Sequence, residues 1–172
     1  MSAPFPEPTR LRASRAEVFL GYLDYFRSVV LDKVACLGDE DLRTSRLPSG
    51  WAPLELVKHL TFVERRWLVW GFEGETDADP WGDSGGSPGG RWTIGAHEAA
   101  ADLIRSLEIQ GAVTRDVVRR HDLDEVGQPG PRWDGADPAT LERVLFHLVQ
   151  EYARHVGHLD VVRELVDGTV GE

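Results

Sequence analysis

The chain has a single cysteine, Cys36, among 172 residues, so no internal disulfide can form. This fits a reducing compartment, and the helical spacing of the apolar residues around Cys36 predicts that its side chain is buried. No apolar run approaches the roughly 20 residues that a membrane span needs. The first 14 residues also lack the apolar middle of a signal peptide. We therefore expect a soluble, cytoplasmic protein with no membrane partner.

Positive charge is scarce as well. The formal net charge is −10, and no basic cluster is larger than a pair of neighbouring arginines. Such a surface repels phosphate backbones and anionic lipids. We expect no nucleic-acid partner.

The apolar residues recur at helical spacing, and there is neither a strand pattern of useful length nor an internal repeat. Four long helices are predicted, at residues 14–37, 53–70, 93–120 and 141–167. Residues 71–92 are dense in Gly, Asp, Pro and Ser, which suits a long connection between the second and third helices. Together these features predict one all-α domain over residues 1–172, a four-helix bundle with a crossover connection and a flexible tail at residues 1–13.

The ends of these helices carry recognisable signals. Ser14 and Glu17 have the spacing of a capping box, and Thr93 is a suitable N-cap for the third helix. Before the fourth helix, Asp137 is a good N-cap with Pro138 at the first helical position, and Gly168 follows as a terminator.

The long connection contains Trp81 and Trp92. Connections of this length are usually functional or disordered. Two readings remain open, a crossover whose tryptophans help to wall a pocket and a plainly mobile segment.

The residues that could carry chemistry lie on the second and fourth helices. His59 falls in the middle of the apolar stripe of the second helix, where an unpaired polar ring costs about 1 to 3 kcal/mol and so needs a partner. On the fourth helix, an arc of about 80° at the edge of the apolar stripe contains His147, Glu151, His155 and His158.

This arrangement is typical of a metal site in a helical bundle. His59 on one helix and Glu151 one turn before His155 on another would place three ligands on facing surfaces. Two imidazoles and a carboxylate suit a divalent metal and leave positions open for water or substrate. The spacing alone leaves a second interpretation open, in which His59 is a satisfied core residue and the other histidines lie at the edge of an amphipathic helix.

The runs SGWAPLELVKHLTFVERRW and VLFHLVQEYARHVGHLDVVRELVDG resemble the DinB-like superfamily, in particular its branch near the mycothiol-dependent maleylpyruvate isomerase and the mycothiol S-transferases. The likeness covers nearly the whole chain. It implies a four-helix bundle that holds a divalent metal, with a histidine of the second helix and two ligands one turn apart on the fourth. The metal that we expect first is zinc, with nickel, manganese or ferrous iron as alternatives.

Carried over residue by residue, the resemblance assigns the metal ligands to His59, Glu151 and His155, with Gly157 completing the family pattern. Many members have histidine where this chain has Glu151. His158 falls where many relatives carry glutamine, and with His147 it is a reserve ligand or a group that orients the site.

The resemblance implies a mycothiol-type thiol as cosubstrate and a role in stress or detoxification. The expected function is a metal-dependent thiol S-transferase or isomerase, in which a metal-bound thiolate attacks a small electrophile. Arg66 and Arg154 are candidates to bind a carboxylate, and Trp67 could form an apolar wall for the electrophile.

Two alternatives come from other classes. One is a non-catalytic protein that binds a metal or a small molecule. The other is a metal-dependent hydrolase in which Glu151 or His158 is the catalytic base. Members of the superfamily are often dimers, so a homodimer is compatible with the sequence.

Overall fold

The computed structural model describes residues 3–171, which fold into helices joined by loops, with no β-strand among the described residues. The α-helices are α1 (Arg15–Ala35), α2 (Asp39–Arg43), α3 (Pro53–Glu64), α4 (Ala100–Arg120) and α5 (Leu141–Asp167). A π-helix, Arg65–Phe72, continues α3 without a break, and a short 3₁₀ turn, Pro131–Trp133, precedes α5. The predicted all-α fold is confirmed. Within the described part of the chain, none of these helices combines the length and apolarity that crossing a membrane requires.

The long helices surround one apolar core. α1 packs against α5 and α4, and α3 packs against the same two helices from the other side. Each contributes fully buried leucines, for example Leu23, Leu60, Leu107 and Leu145. The seam between α3 and α5 brings the two helices with the candidate ligands together.

A cluster of hydrogen-bonded polar side chains lies in the middle of this core and joins all four long helices. Glu64 of α3 is fully buried and accepts a hydrogen bond from Arg27 Nη2 of α1 at 2.9 Å. The same carboxylate accepts from the hydroxyls of Thr114 on α4 and Tyr152 on α5. Gly111 of α4 makes room for this arrangement, because a Cβ there would lie 2.6 Å from Arg27 Cζ.

The ends of α1 and α5 follow the sequence signals with one exception. Ser14 caps α1 by accepting from the Glu17 N–H, and Gly168 ends α5 in the left-handed conformation with φ 75°. The prediction of Asp137 as the N-cap of α5 was wrong, because Thr140 caps the helix. The chain is still extended just before that point, where the Gly127 N–H donates to the Ala139 carbonyl at 3.0 Å.

The predicted start of the third helix at Thr93 was also wrong. The Thr93 N–H donates to the Asp83 carbonyl at 2.9 Å instead of starting a helix. Glu98 accepts hydrogen bonds from the Gly95 N–H and from Lys58, which holds the next residues in a turn. The π-helix also extends the second helical segment to Phe72, so the long connection covers residues 73–99.

Cys36 was predicted to be buried, and the structure shows it exposed. It follows the last helical residue of α1, Ala35, where the chain turns away from the core toward α2. The spacing of the apolar residues predicted that the buried face of α1 includes Cys36, whereas the helix ends one residue earlier.

The N-terminal segment, expected to be a flexible tail, contacts α1. The Ala3 N–H donates to Ser28 Oγ at 3.1 Å, and the Phe5 ring packs edge-on against Tyr25 with 5.1 Å between centroids. Residues 1 and 2 lie outside the described residues.

Candidate metal centre

His59, Glu151 and His155 converge at the seam between α3 and α5. Each offers one ligand atom, and these atoms all lie within 4.8 Å of one another. Glu151 and His155 face the same way because they are one turn apart on α5, while His59 points across from α3. His155 is buried, and the other two side chains are partly accessible. Two imidazole nitrogens and one carboxylate oxygen form a donor set that could hold a divalent metal ion.

His59 has the partner that its place on an apolar stripe requires. Its Nδ1 lies 2.9 Å from Asp83 Oδ2, and an ionised carboxylate can only accept, so Nδ1 carries the proton and donates. Nε2 is thereby left with a free lone pair for a metal. Burial lowers the pKa of His59 despite the opposing hydrogen bond to Asp83, which favours the neutral imidazole that a metal requires.

Asp83 belongs to the long connection and is itself held in place by Arg66. The guanidinium donates to both carboxylate oxygens, to Oδ1 and, at 3.2 Å, to Oδ2. Burial acts to raise the pKa of Asp83, but the hydrogen bonds from His59 and Arg66 prevail and lower it. A carboxylate that orients a histidine ligand is a recurrent feature of metal sites. Asp83 is not among the residues predicted from the sequence, because nothing in the sequence distinguishes it from the neighbouring Asp77 and Asp79.

Glu151 lies between two histidines of its own helix. Its Oε2 is 3.2 Å from His155 Nε2, and its Oε1 is 3.4 Å from His147 Nε2. The hydrogen bond from His155 is the main reason that the pKa of Glu151 is lowered, so the carboxylate is ionised at neutral pH. His147 is outside the three-residue cluster and borders it through Glu151.

His158 contacts the cluster from the other end. Its Nδ1 lies 3.3 Å from His155 Nδ1, the nitrogen of His155 that faces away from Glu151. Burial lowers the pKa of His158, and the neighbouring His155 adds to this effect. The arrangement suits a hydrogen bond that fixes the orientation of the His155 ring.

Trp92 covers the cluster. Its ring stacks on His59 with 4.0 Å between centroids and an interplanar angle of 21°, and it meets His155 edge-on at 5.2 Å. Trp92 also lines a cavity of about 430 Å³ together with Trp51. Trp81, the other tryptophan expected to wall a pocket, packs instead over the Arg66 guanidinium.

A larger cavity of about 630 Å³ opens beside the first turns of α5, against α1 and the π-helix. Its wall includes the two side chains His147 and Trp67, whose rings are 4.5 Å apart, together with apolar groups such as Phe19 and Val144. His147 borders the larger cavity and Trp92 the smaller one, and none of the three cluster residues lines either cavity.

A family model described as Mycothiol-S-transferase matches residues 18–168. The chain belongs to the mycothiol S-transferase family. This confirms the resemblance to that branch of the DinB-like superfamily. Comparison of the chain with curated proteins finds no match.

The matched range, residues 18–168, includes His59, Glu151 and His155 and both helices that present them. Membership implies a small-molecule thiol as substrate. Of the two arginines predicted to bind a carboxylate, Arg66 is buried and paired with Asp83, while Arg154 is exposed at the surface of α5. Neither contacts the larger cavity, whereas Trp67 lines it.

Proposed function

We propose that this protein is a metal-dependent S-transferase that joins a mycothiol-type thiol to a small electrophile. The observation that carries the proposal is the convergence of His59, Glu151 and His155, within 4.8 Å of one another, in a chain of the mycothiol S-transferase family. These residues would hold the metal. A thiol has a pKa of about 8.5 in water, and a divalent cation bound at the cluster would stabilise its thiolate at neutral pH.

The protein residues set the charge and the orientation of this site. With Glu151 as a ligand, the metal site would carry one positive charge less than with a third histidine. A thiolate bound at the site would therefore be more nucleophilic than at a site with three histidines. Asp83 holds the His59 ring with its Nε2 toward the cluster, and Arg66 holds Asp83. Trp92 shields His59 from water.

Two histidines have distinct roles in this proposal. If His155 binds the metal through Nε2, its Nδ1 carries the proton and donates to His158 Nδ1, which leaves the remaining proton of neutral His158 on Nε2. His158 is then a positioning residue and has no free lone pair for a substrate proton. Because the ionised Glu151 carboxylate can only accept, neutral His147 carries its proton on Nε2 next to Glu151 Oε1, and its Nδ1 is the atom that we assign to accept the thiol proton. Burial lowers the pKa of His147, so its imidazole is neutral at pH 7 and can take that proton.

The thiol sulfur forms a bond to the electrophilic carbon, the thiol proton goes to His147 and from there to solvent, and the leaving group departs with the electron pair of its bond. When the electrophile has no leaving group, an electron pair of its multiple bond moves to one of its own carbon or oxygen atoms, and that atom takes up the proton.

The direct test is turnover of an activated aryl halide, 1-chloro-2,4-dinitrobenzene, with and without mycothiol by protein loaded with zinc or nickel. We expect product only when thiol and metal are both present, and background rates in His59→Ala and His155→Ala. His97→Ala, which removes an exposed histidine of the long connection, is the matched control and should keep the wild-type rate.

Other outcomes would identify the alternatives. Hydrolysis of ester or amide substrates without added thiol would contradict the proposal in favour of a hydrolase. If the protein binds metal but shows no thiol-dependent turnover of any electrophile in a panel, the non-catalytic binding protein would be the correct alternative.

A further inference from the structure

A buried hydrogen bond joins the two helices that carry the candidate metal ligands. The hydroxyl of Tyr152 on α5 donates to Oε1 of Glu64 on α3, and both side chains are fully buried. In the part of the chain that the structure describes, no other side-chain hydrogen bond runs between α3 and α5. Tyr152 directly follows Glu151, and Glu64 comes five residues after His59, which is about 7.5 Å along a helix. The bond therefore belongs to the same seam as the three ligands.

Glu64 is held in place by helices that carry none of the ligands. Arg27 of α1 donates to its Oε1 through both Nε, at 3.3 Å, and Nη2, at 2.9 Å. Thr114 of α4 donates to the other oxygen, Oε2. Arg27 is in turn paired with Asp24 at 2.8 Å and lies over the Tyr152 ring, with 5.7 Å between Cζ and the ring centroid. The acceptor of the Tyr152 hydroxyl is thus fixed from α1 and α4.

A metal ion bound at the cluster requires a defined distance between α3 and α5. Glu151 and His155 move together because they lie one turn apart on α5, whereas His59 belongs to α3. Bonds from zinc to nitrogen and oxygen are about 2.0 to 2.2 Å long, so a shift of a few tenths of an ångström between the helices strains such a site. Asp83 orients the His59 ring from the long connection, which does not determine how far α3 lies from α5.

The apolar contacts between α3 and α5 constrain this distance less sharply than a hydrogen bond does. Burial of leucines such as Leu60 and Leu148 stabilises the seam, but the hydrophobic effect has no preferred direction. A hydrogen bond to an ionised carboxylate is short and directional. A buried polar network whose members are all satisfied specifies one arrangement of the elements that it joins.

We propose that Tyr152 is a positioning residue of the metal centre, which sets the register of α5 against α3 through its hydrogen bond to Glu64. The inference rests on the proposed function, because it concerns the metal that the transferase would use. In this role the phenol touches neither the metal nor the substrate. It acts through the two helices, by keeping Glu151 and His155 at the right distance from His59.

The test is Tyr152→Phe, which removes only the hydroxyl, with Thr114→Val as the matched control. Each variant takes one hydroxyl donor from Glu64, but Thr114 lies on α4, which carries none of the three ligands. The metal-free full chain is titrated with cobalt(II), whose visible absorption depends on coordination number and geometry. Thermal unfolding of each protein is recorded in parallel.

Both variants should unfold at a lower temperature than wild type, since each leaves the buried Glu64 carboxylate with one donor fewer. Only Tyr152→Phe should bind cobalt(II) more weakly, by about 10-fold, the lower end of the range for groups that support metal ligands. Its cobalt absorption bands should also differ from those of wild type. Thr114→Val should match wild type in both affinity and spectrum.

Wild-type affinity and spectrum in Tyr152→Phe would overturn the proposal. An equal loss of affinity in Thr114→Val would overturn it too, because the effect would then follow from core stability alone. Failure of the wild-type protein to bind cobalt(II) would contradict the proposed function and this inference with it. Normal binding by wild type and by Tyr152→Phe would contradict only the inference.

A second measurement needs no variant, and it decides the question if Tyr152→Phe does not fold. If the hydrogen bond favours metal binding, bound metal must favour the hydrogen bond to the same extent. Zinc should therefore slow the exchange of the Tyr152 hydroxyl proton with water, measured by NMR, by a larger factor than that of the Thr114 hydroxyl proton. An equal change at both hydroxyls, or none, would overturn the proposal.

Discussion

Asp83 of the long connection accepts a hydrogen bond from Nδ1 of His59, at 2.9 Å, across 24 residues of sequence. The contact links a loop that looks unstructured in sequence to the histidine that carries the metal-site hypothesis. It fixes which nitrogen of His59 bears the proton, and hence which one is available to a metal.

Asp83→Asn should therefore weaken zinc binding by about 10- to 100-fold, since loss of such a supporting carboxylate has that effect in other metal sites. The amide keeps the shape but carries no charge for His59 or Arg66. Affinity is measured by competition with a chromogenic chelator. Asp79→Asn, an exposed change four residues earlier in the same loop, is the control and should bind zinc like wild type. Equal affinity in Asp83→Asn and wild type would show that Asp83 does not support the site.

Trp92 gives the site a spectroscopic reporter because its ring stacks on His59 at 4.0 Å. A paramagnetic ion such as nickel at the cluster should quench the fluorescence of Trp92, and the quenching should saturate near one equivalent. In Trp92→Phe most of this quenching should disappear while nickel still binds. Quenching of the same size in Trp92→Phe would mean that nickel binds elsewhere.

Two helical glycines should respond in opposite directions to alanine. In Gly157→Ala the new methyl group meets open space, so the better helix propensity should raise the free energy of unfolding by about 0.5 to 1 kcal/mol. In Gly111→Ala the Cβ would lie 2.6 Å from Arg27, whose guanidinium is held by Glu64 and Asp24. We expect a net loss of stability there. Urea unfolding measures both, and a stabilised Gly111→Ala would contradict the described packing of Arg27.

Glu64 neutralises Arg27 in the core, so Glu64→Gln should be among the most destabilising single changes in the protein. Removing one partner of a buried ion pair costs up to about 3 to 5 kcal/mol, because the other charge stays buried, and here Arg27 keeps only the partly exposed Asp24 as a partner. Asp116→Asn, which breaks an exposed pair with Arg120, should change the unfolding free energy by less than about 1 kcal/mol. Similar values for the two variants would show that Arg27 finds another way to be solvated.

The sequence sufficed for the parts of the molecule that local chemistry determines. The cap at Ser14 and the terminator at Gly168 depend on neighbours within a few residues, and the spacing of Glu151 and His155 follows from helix geometry alone. His59, about 90 residues away from them, was selected from its place on the apolar stripe of the second helix, and the resemblance then assigned it as a ligand.

What the sequence could not reveal depends on tertiary contacts. Asp83 lies in a loop, where no periodicity predicts direction, and its significance comes from the distant residue that it meets, His59. Arg66 was the reverse case, since its position on the His59 face suggested a substrate contact while the structure pairs it with Asp83. The π-helix at Arg65–Phe72 also has no recognisable sequence signal, although it sets the direction of Trp67.

The measurement that tests the central claim most directly is the metal content of the tag-free protein, by elemental analysis, in wild type, His59→Ala, His155→Ala and the control His97→Ala. We expect close to one divalent metal per chain in wild type and the control, and loss of that metal in the two cluster variants. Absence of metal from wild type, with no uptake when zinc or nickel is added, would contradict this expectation.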